Sequence, residues 1–335
     1  MARRRKAKAR IGVVIHTSLC DKLFSPEDRA RLERLGEVRW TRSPDPLDDA
    51  AAAQVLAGCR VGIGSWGTPC PQSAGLMAAC PDLRLWEHAA GTVRHMFGRH
   101  LVGRRLVVAS CKTAIADNVA DFTLGEILLA SRRVFENAAA NRAGPVPPPA
   151  AMKDIRGSTV GVVGASEVGK RVIRLLAPFR CRVLLYDPFV TDRQAARLGA
   201  TRVRDLVDLC RASDIVTLHA PALPSTARMM GAAHFRAMRD DAIFLNTARG
   251  MCVDEAALAA ELAKGRLFAL LDVTDPEPAA ADSPFRRLPN CALTSHIAGL
   301  GWFNMGAQAV DDVAKFLRGR RPLCVQTPDM LDRIA

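Results

Sequence analysis

At 335 residues the chain is too long for one ordinary core and suits two domains. With 49% apolar residues and a mean hydropathy of +0.05 it reads as globular, and no apolar run approaches the roughly eighteen residues of a membrane span. The formal charge is +13, but six cations (Arg3, Arg4, Arg5, Lys6, Lys8 and Arg10) crowd the first ten residues, leaving 13 − 6 = +7 on the rest.

Residues 1–10 therefore read as a disordered, solvated basic tail, which weighs against nucleic acid as a partner. The ten cysteines form no C-x-x-C pair and no zinc-like spacing. No apolar segment or cleavage site follows the basic start, so the expectation is a cytoplasmic protein with reduced thiols and no metal.

In chain order, Ile11 to Ile15 is a buried-strand run. Ser25-Pro26-Glu27-Asp28 then offers an N-cap, a proline at the first helical position and early acids. Strands over about 38–41, 60–65, 83–87 and 106–109 alternate with helices over 47–57 and 72–79. That alternation predicts parallel βαβ units of flavodoxin-like type. From Ala114 to Ala139 the apolar positions Ile115, Val119, Phe122, Leu124, Ile127 and Leu128 predict one long helix, a spacer or a subunit contact. Pro145, Pro147, Pro148 and Pro149 then end helical structure.

A second α/β run opens at Ser158 to Asp187, which reads as strand, tight turn, helix, strand. The apolar run Val160 to Val163 stops at Gly164, and the turn runs Gly164-Ala165-Ser166-Glu167-Val168-Gly169. This is the G-x-G-x-x-G order needed to hold a dinucleotide, with Ser166 in place of the middle glycine. Gly164 permits the turn, Gly169 lets the helix pack close, and the helix N-terminus offers unpaired N–H groups to a pyrophosphate. Asp187, at the end of the second strand, can accept from both ribose hydroxyls and would repel a 2′-phosphate, so NAD is favoured over NADP. Ser166 takes up room near the pyrophosphate, but its hydroxyl can donate to a phosphate oxygen.

Further on, helices are expected at 194–198, 203–211, 234–238, 254–264 and 302–317, with strands at 215–218, 243–246, 268–272 and 291–294. In open parallel sheets ligands bind outside the carboxyl ends of the strands. Those ends carry Gly164, Asp187, His219, Thr247 to Arg249, Asp272 and His296, with Glu277 in the loop after Asp272.

At this point the chain resembles the D-isomer-specific 2-hydroxyacid dehydrogenases. The likeness lies in LHAPALPST (Leu218 to Thr226), NTARG (Asn246 to Gly250), Val253 to Val273, DPEP (Asp275 to Pro278) and TSHIAG (Thr294 to Gly299). Weaker matches are SWGTP (Ser65 to Pro69), AAGTV (Ala89 to Val93) and DNVADFTLGEILLA (Asp117 to Ala130). The resemblance implies two Rossmann-like or flavodoxin-like parallel-sheet domains with an active-site cleft between them. The substrate domain would be residues 11–113 plus 303–335, made discontinuous by the last helix, and the NAD-binding domain residues 114–302.

It also implies roles. Arg249 would clamp the substrate carboxylate in a guanidinium fork. His296 would be the acid–base, oriented by Glu277, whose carboxylate favours the protonated imidazole. Gly164, Ser166, Glu167, Val168, Gly169, Asp187, His219, Ala220, Pro221, Thr226 and Gly299 would contact the cofactor. Thr247 and Ala248 would fix the nicotinamide through their carbonyls, and Asp272 would accept from its carboxamide. Asp272 as the cap of a following turn, and His219 as a structural histidine, stay open. Trp66, Gly91, Thr92 and Val93 would meet the substrate, although the family loop is usually more glycine-rich and here runs on as Arg94-His95-Met96. Glu277 stands where the formate dehydrogenases of this superfamily carry Gln, which disfavours formate.

The implied activity is an NAD-dependent, phosphoglycerate-dehydrogenase-like oxidoreductase acting on a small 2-keto or 2-hydroxy acid, with a homodimer as the assembly. The alternative is an NAD(H)-sensing regulatory protein of the corepressor type, motivated by the basic tail and the altered glycine motif.

Overall fold

The computed structural model describes residues 8–70, 73–93, 96 and 105–330. Tail residues Arg3 to Lys6, together with Gln72, Arg94 and His95, lie outside the described residues. The chain divides into two units, Met1–Ile115 with Gly301–Ala335, and Ala116–Leu300.

The elements follow one another as β1 (Ala9–Val13), α1 (Thr17–Leu23), α2 (Pro26–Leu35), β2 (Gly36–Trp40), α3 (Asp49–Leu56), β3 (Val61–Gly64), α4 (Ala74–Ala79), β4 (Leu85–His88) and β5 (Val107–Ser110). Next come α5 (Lys112–Ser131), α6 (Val134–Ala143), β6 (Thr159–Val163), α7 (Glu167–Leu176), β7 (Arg182–Tyr186), α8 (Asp192–Leu198), β8 (Thr201–Arg202), α9 (Leu206–Ala212) and β9 (Ile215–Leu218). The chain closes with α10 (Ala232–Ala237), β10 (Ala242–Asn246), α11 (Glu255–Leu262), β11 (Leu267–Leu271), β12 (Cys291–Leu293), α12 (Trp302–Leu317) and β13 (Val325–Gln326).

In the first unit the sheet order is β13-β5-β4-β3-β1-β2, parallel except for β13, which runs antiparallel to β5. Its apolar side chains split between two faces. Ile11, Val13, Ile63 and Leu85 meet Met305, Ala309 and Val313 of α12, whereas Trp86 and Val108 meet Leu56 and Leu76. Helix α2 starts where the sequence offers a cap: Ser25 Oγ accepts from Asp28 N at 3.1 Å, with Pro26 in the first turn.

The second unit holds a parallel sheet in the order β12-β11-β10-β9-β6-β7-β8. Along β10 the side chains alternate, Phe244 entering one core and Ile243 and Leu245 the other. Helices covering both faces explain why these strands read as unbroken apolar runs.

The single helix expected over 114–139 is in fact two. Arg133 adopts a left-handed φ of 54° and separates α5 from α6. Its buried guanidinium lies over the Phe268 ring, 3.0 Å from the centroid, and donates to Ala151 O (3.2 Å) and Asp241 O (2.9 Å). The left-handed backbone costs an L-residue about 1–2 kcal/mol, and these tertiary contacts offset it. Helix α9 begins at Leu206 rather than 203, because Asp205 accepts from Asp208 N and fixes the start there. Among the described residues no helix is long and apolar enough to cross a membrane.

Candidate functional site

Strand β6 ends at Val163 and the chain reverses at Gly164, whose φ of +98° suits glycine. A Cβ there would also press on the His219–Ala220 peptide at 3.0 Å. At Gly169 a Cβ would stand 2.1 Å from Gly164 O, so only glycine lets α7 seat against β6. Ser166 is the N-cap of α7, its Oγ accepting from Gly169 N at 3.3 Å. The residue replacing the middle glycine thus starts the helix whose N-terminus would meet a phosphate. Glu167 is bonded to Arg171 (2.7 Å) and Lys170 (3.3 Å), and the Arg171 bond holds its carboxyl below the usual range. Val168 packs against the core beneath the turn.

The Asp187 carboxylate is braced by backbone donors, Ala165 N to Oδ2 at 2.7 Å and Phe189 N to Oδ1 at 2.8 Å. A carboxylate has about four lone-pair sites, so each oxygen keeps capacity for a ribose hydroxyl. The glycine turn, the helix cap and this carboxylate together fit a dinucleotide.

His219 is buried at the end of β9, with Nε2 2.9 Å from Thr217 Oγ1. Burial pushes its imidazole down to about 3, so it is neutral and no proton donor near pH 7. The following loop, with Ala220 buried, is closed by Thr226, whose Oγ1 accepts from Leu223 N (2.9 Å) and donates to Pro221 O (2.6 Å).

Three further strand ends in the same unit carry the other residues that the sequence singles out. After β10, Asn246 holds the turn, donating to Arg249 O (3.0 Å) and accepting from Ala248 N (3.0 Å). The half-buried Arg249 guanidinium donates to Ala248 O at 2.6 Å, and Gly250 lacks a side chain where the Thr274 backbone crosses it. Thr247 Oγ1 lies 3.0 Å from Thr123 Oγ1 of α5.

After β11, Asp272 is 1% exposed. Its Oδ1 accepts from Thr294 Oγ1 (2.6 Å) and Ile297 N (2.8 Å), its Oδ2 from Ala298 N (2.9 Å), and its carbonyl from His296 N (2.8 Å). Asp272 therefore caps the loop after β12, the turn-capping alternative of the sequence reading. That loop sets His296 at a left-handed φ of 54° and brings its Nδ1 into contact with Glu277 Oε1, both side chains being partly exposed. The Glu277 loop is itself tied down, Asp275 N donating to Glu255 Oε1 (2.8 Å) and Thr274 Oγ1 to Pro276 O (2.8 Å). At the far end of the segment, Gly299 O accepts from Asn118 Nδ2 (3.1 Å).

Such an arrangement can bind an anion at Arg249 and move a proton at the Nε2 of His296, since Nδ1 is occupied by Glu277. Sequence reasoning missed the α5 residues behind it. Thr123 is one; Glu126, 6% exposed and with its Oε2 buried and unpartnered among the described residues, is the other. Burial first, and the Asp272 charge second, push the Glu126 carboxyl up to about 8. The available signal was an acid within the apolar positions of α5.

In the first unit, Trp66 follows β3 and is 40% exposed, and Gly91 and Thr92 follow β4, with the Val93 side chain buried. Ser65 Oγ donates to Ala89 O at 2.8 Å and ties the two loops together.

Residues 124–298 match the family model described as D-isomer specific 2-hydroxyacid dehydrogenase, NAD binding domain. The chain is 30% identical over 315 residues to glyoxylate/hydroxypyruvate reductase B of Klebsiella pneumoniae (strain 342), covering 92% of this chain and 95% of that one. It is 36% identical over 170 residues to the D-3-phosphoglycerate dehydrogenase of Archaeoglobus fulgidus, 50% of this chain and 32% of that enzyme, so it spans about a third of that relative's length. Among solved structures, the TT0316 protein from Thermus thermophilus superposes with a TM-score of 0.75 at 30% identity, over 95% of this chain and all of that one.

Proposed function

Because the chain belongs to the D-isomer-specific 2-hydroxyacid dehydrogenase family, we propose that it is an NAD(H)-dependent reductase of a small 2-keto acid, reversible as a 2-hydroxyacid dehydrogenase. The observation that carries this reading is the Glu277–His296 contact, held at a strand end by Asp272 beside the Arg249 turn.

In the reducing direction Arg249 receives the substrate carboxylate, and Gly91, Thr92 and Val93 are assigned as backbone donors to the substrate. His296, protonated and oriented by Glu277, gives its Nε2 proton to the C2 carbonyl oxygen as the carbonyl becomes an alcohol. NADH, when bound, supplies the hydride to C2, so one hydride and one proton convert keto acid to hydroxy acid. Gly164, Ser166 and Gly169 would hold its pyrophosphate and Asp187 its ribose; Thr247, Ala248 and Asp272 are assigned to the nicotinamide. The same reading places the enzyme in the cytoplasm as a homodimer.

The test follows NADH absorbance with glyoxylate, hydroxypyruvate, pyruvate and phenylpyruvate. His296→Ala is expected to lose roughly a hundredfold or more in rate. A variant that keeps the full rate removes His296 from this role. Tight NADH binding with none of the keto acids turned over favours the sensing alternative instead.

A further inference from the structure

Trp66 stands two residues past β3, at the carboxyl edge of the first unit's sheet, where open parallel sheets take ligands. Its turn is fixed. Ser65 N donates to Thr68 Oγ1 (2.8 Å), Thr68 Oγ1 donates to Ser65 O (2.8 Å), and Gly67 takes a φ of +66°. It is also laced to the next loop, by Ser65 Oγ to Ala89 O (2.8 Å) and Ala89 N to Gly64 O (2.8 Å). The Trp66 turn and Ala89, where the loop leading to Gly91–Val93 begins, are therefore tied together along one edge.

That edge carries more aromatic surface than a small acid uses. Trp302, at the first turn of α12, meets Trp66 edge-on, with ring centroids 6.1 Å apart and planes at 90°. Lys22 Nζ of α1 lies 5.7 Å from the Trp302 centroid. Trp302 meets Trp66 only edge to face, and Trp66 stays 40% exposed. An exposed indole at a ligand edge gains by covering its face with another flat ring. A two-carbon acid brings no side chain to do this.

Resting on the reaction proposed above, we infer that the substrate is a 2-keto acid with a flat aromatic side chain, and that Trp66, steadied by Trp302, selects it. The carboxylate would lie toward the Gly91–Val93 loop and the ring against Trp66.

The experiment measures kcat/KM of the full chain with NADH for phenylpyruvate, pyruvate, glyoxylate and hydroxypyruvate. Phenylpyruvate is expected to exceed pyruvate by about tenfold or more, the scale on which apolar pockets discriminate. Trp66→Ala is expected to bring that ratio to near unity, with Trp302→Leu moving it the same way. Thermal melts of both variants separate a lost preference from a lost fold. A wild type preferring glyoxylate or hydroxypyruvate, or a Trp66→Ala that slows all four acids alike, overturns the inference while leaving the reductase reading intact. Should no keto acid react, the reductase reading fails, and phenyllactate binding to the NAD-loaded protein decides the inference by quenching of tryptophan emission. Saturable quenching lost in Trp66→Leu supports an aromatic site here; absence of quenching overturns it.

Discussion

Asp272 and Glu126 are buried acids that differ in how their carboxyl oxygens are satisfied. The Asp272 carboxylate accepts from two backbone N–H groups and a hydroxyl, which fixes the loop carrying His296 and leaves one lone-pair site on Oδ2. Behind it, Glu126 holds its proton up to about 8 against an ordinary value of 4.5. A carboxyl raised in this way lends stability that is fully present below about pH 4.5 and is lost as pH rises toward about 8. Glu126→Gln stays neutral throughout. It should therefore gain on the wild type as pH rises across that window, by at most about 1.4 kcal/mol per pH unit, and the gain should level off above it. Urea midpoints of both proteins at several pH values between 5 and 9 read this directly, and parallel curves would show that Glu126 is not held protonated. The Arg249 turn and the Glu277–His296 contact were legible because their residues sit in ordered sequence blocks. Glu126 was not, since only burial by distant residues makes an acid in a helix unusual.

Secondary-structure elements were legible wherever their start signals are local. Ser25 capping α2 is read directly from the sequence, and α12 has the bounds expected of it. The break between α5 and α6 was not legible, because Phe268 and Asp241, which hold Arg133, lie more than a hundred residues away. The two-residue strands β8 and β13 were likewise too short to leave a period. The docking of α7 on β6 is the element on which the cofactor reading depends. Gly169→Ala would drive a methyl to 2.1 Å from Gly164 O, and overpacking of this kind costs about 1–3 kcal/mol. The expected result is a lower melting temperature together with weaker NADH binding, followed by fluorescence titration. Gly306→Ala makes a matching clash in the first unit, 1.9 Å from Leu23 O of α1, and is expected to lower the melting temperature while NADH affinity holds. Equal NADH affinity in both variants would mean that the α7 seat does not govern cofactor binding.

At the scale of the molecule, the second unit leaves apolar surface uncovered where α5 passes into α6. Leu129, Val134 and Phe135 are 43%, 39% and 36% exposed, and Phe135 also lines a cleft of about 340 Å³ that mixes Ala139, Phe268 and Ala292 with Glu136, Arg286 and Arg287. The left-handed Arg133 separates α5 from α6, and Val134 and Phe135 open the second helix. Isolated apolar side chains on a surface need no explanation, but three exposed ones within seven residues of sequence are a candidate for an interface. The proposed homodimer would use it through the same patch on both copies, as two-fold symmetry requires. In that assembly each copy of Phe135 is buried, so a charge placed there is left without a partner. Light scattering should accordingly give twice the 36.2 kDa chain mass for the wild type and the single-chain mass for Phe135→Asp. NADH affinity should be retained, since the patch lies apart from the Gly164 turn. A Phe135→Asp protein that stays dimeric would move the interface away from the α5–α6 junction.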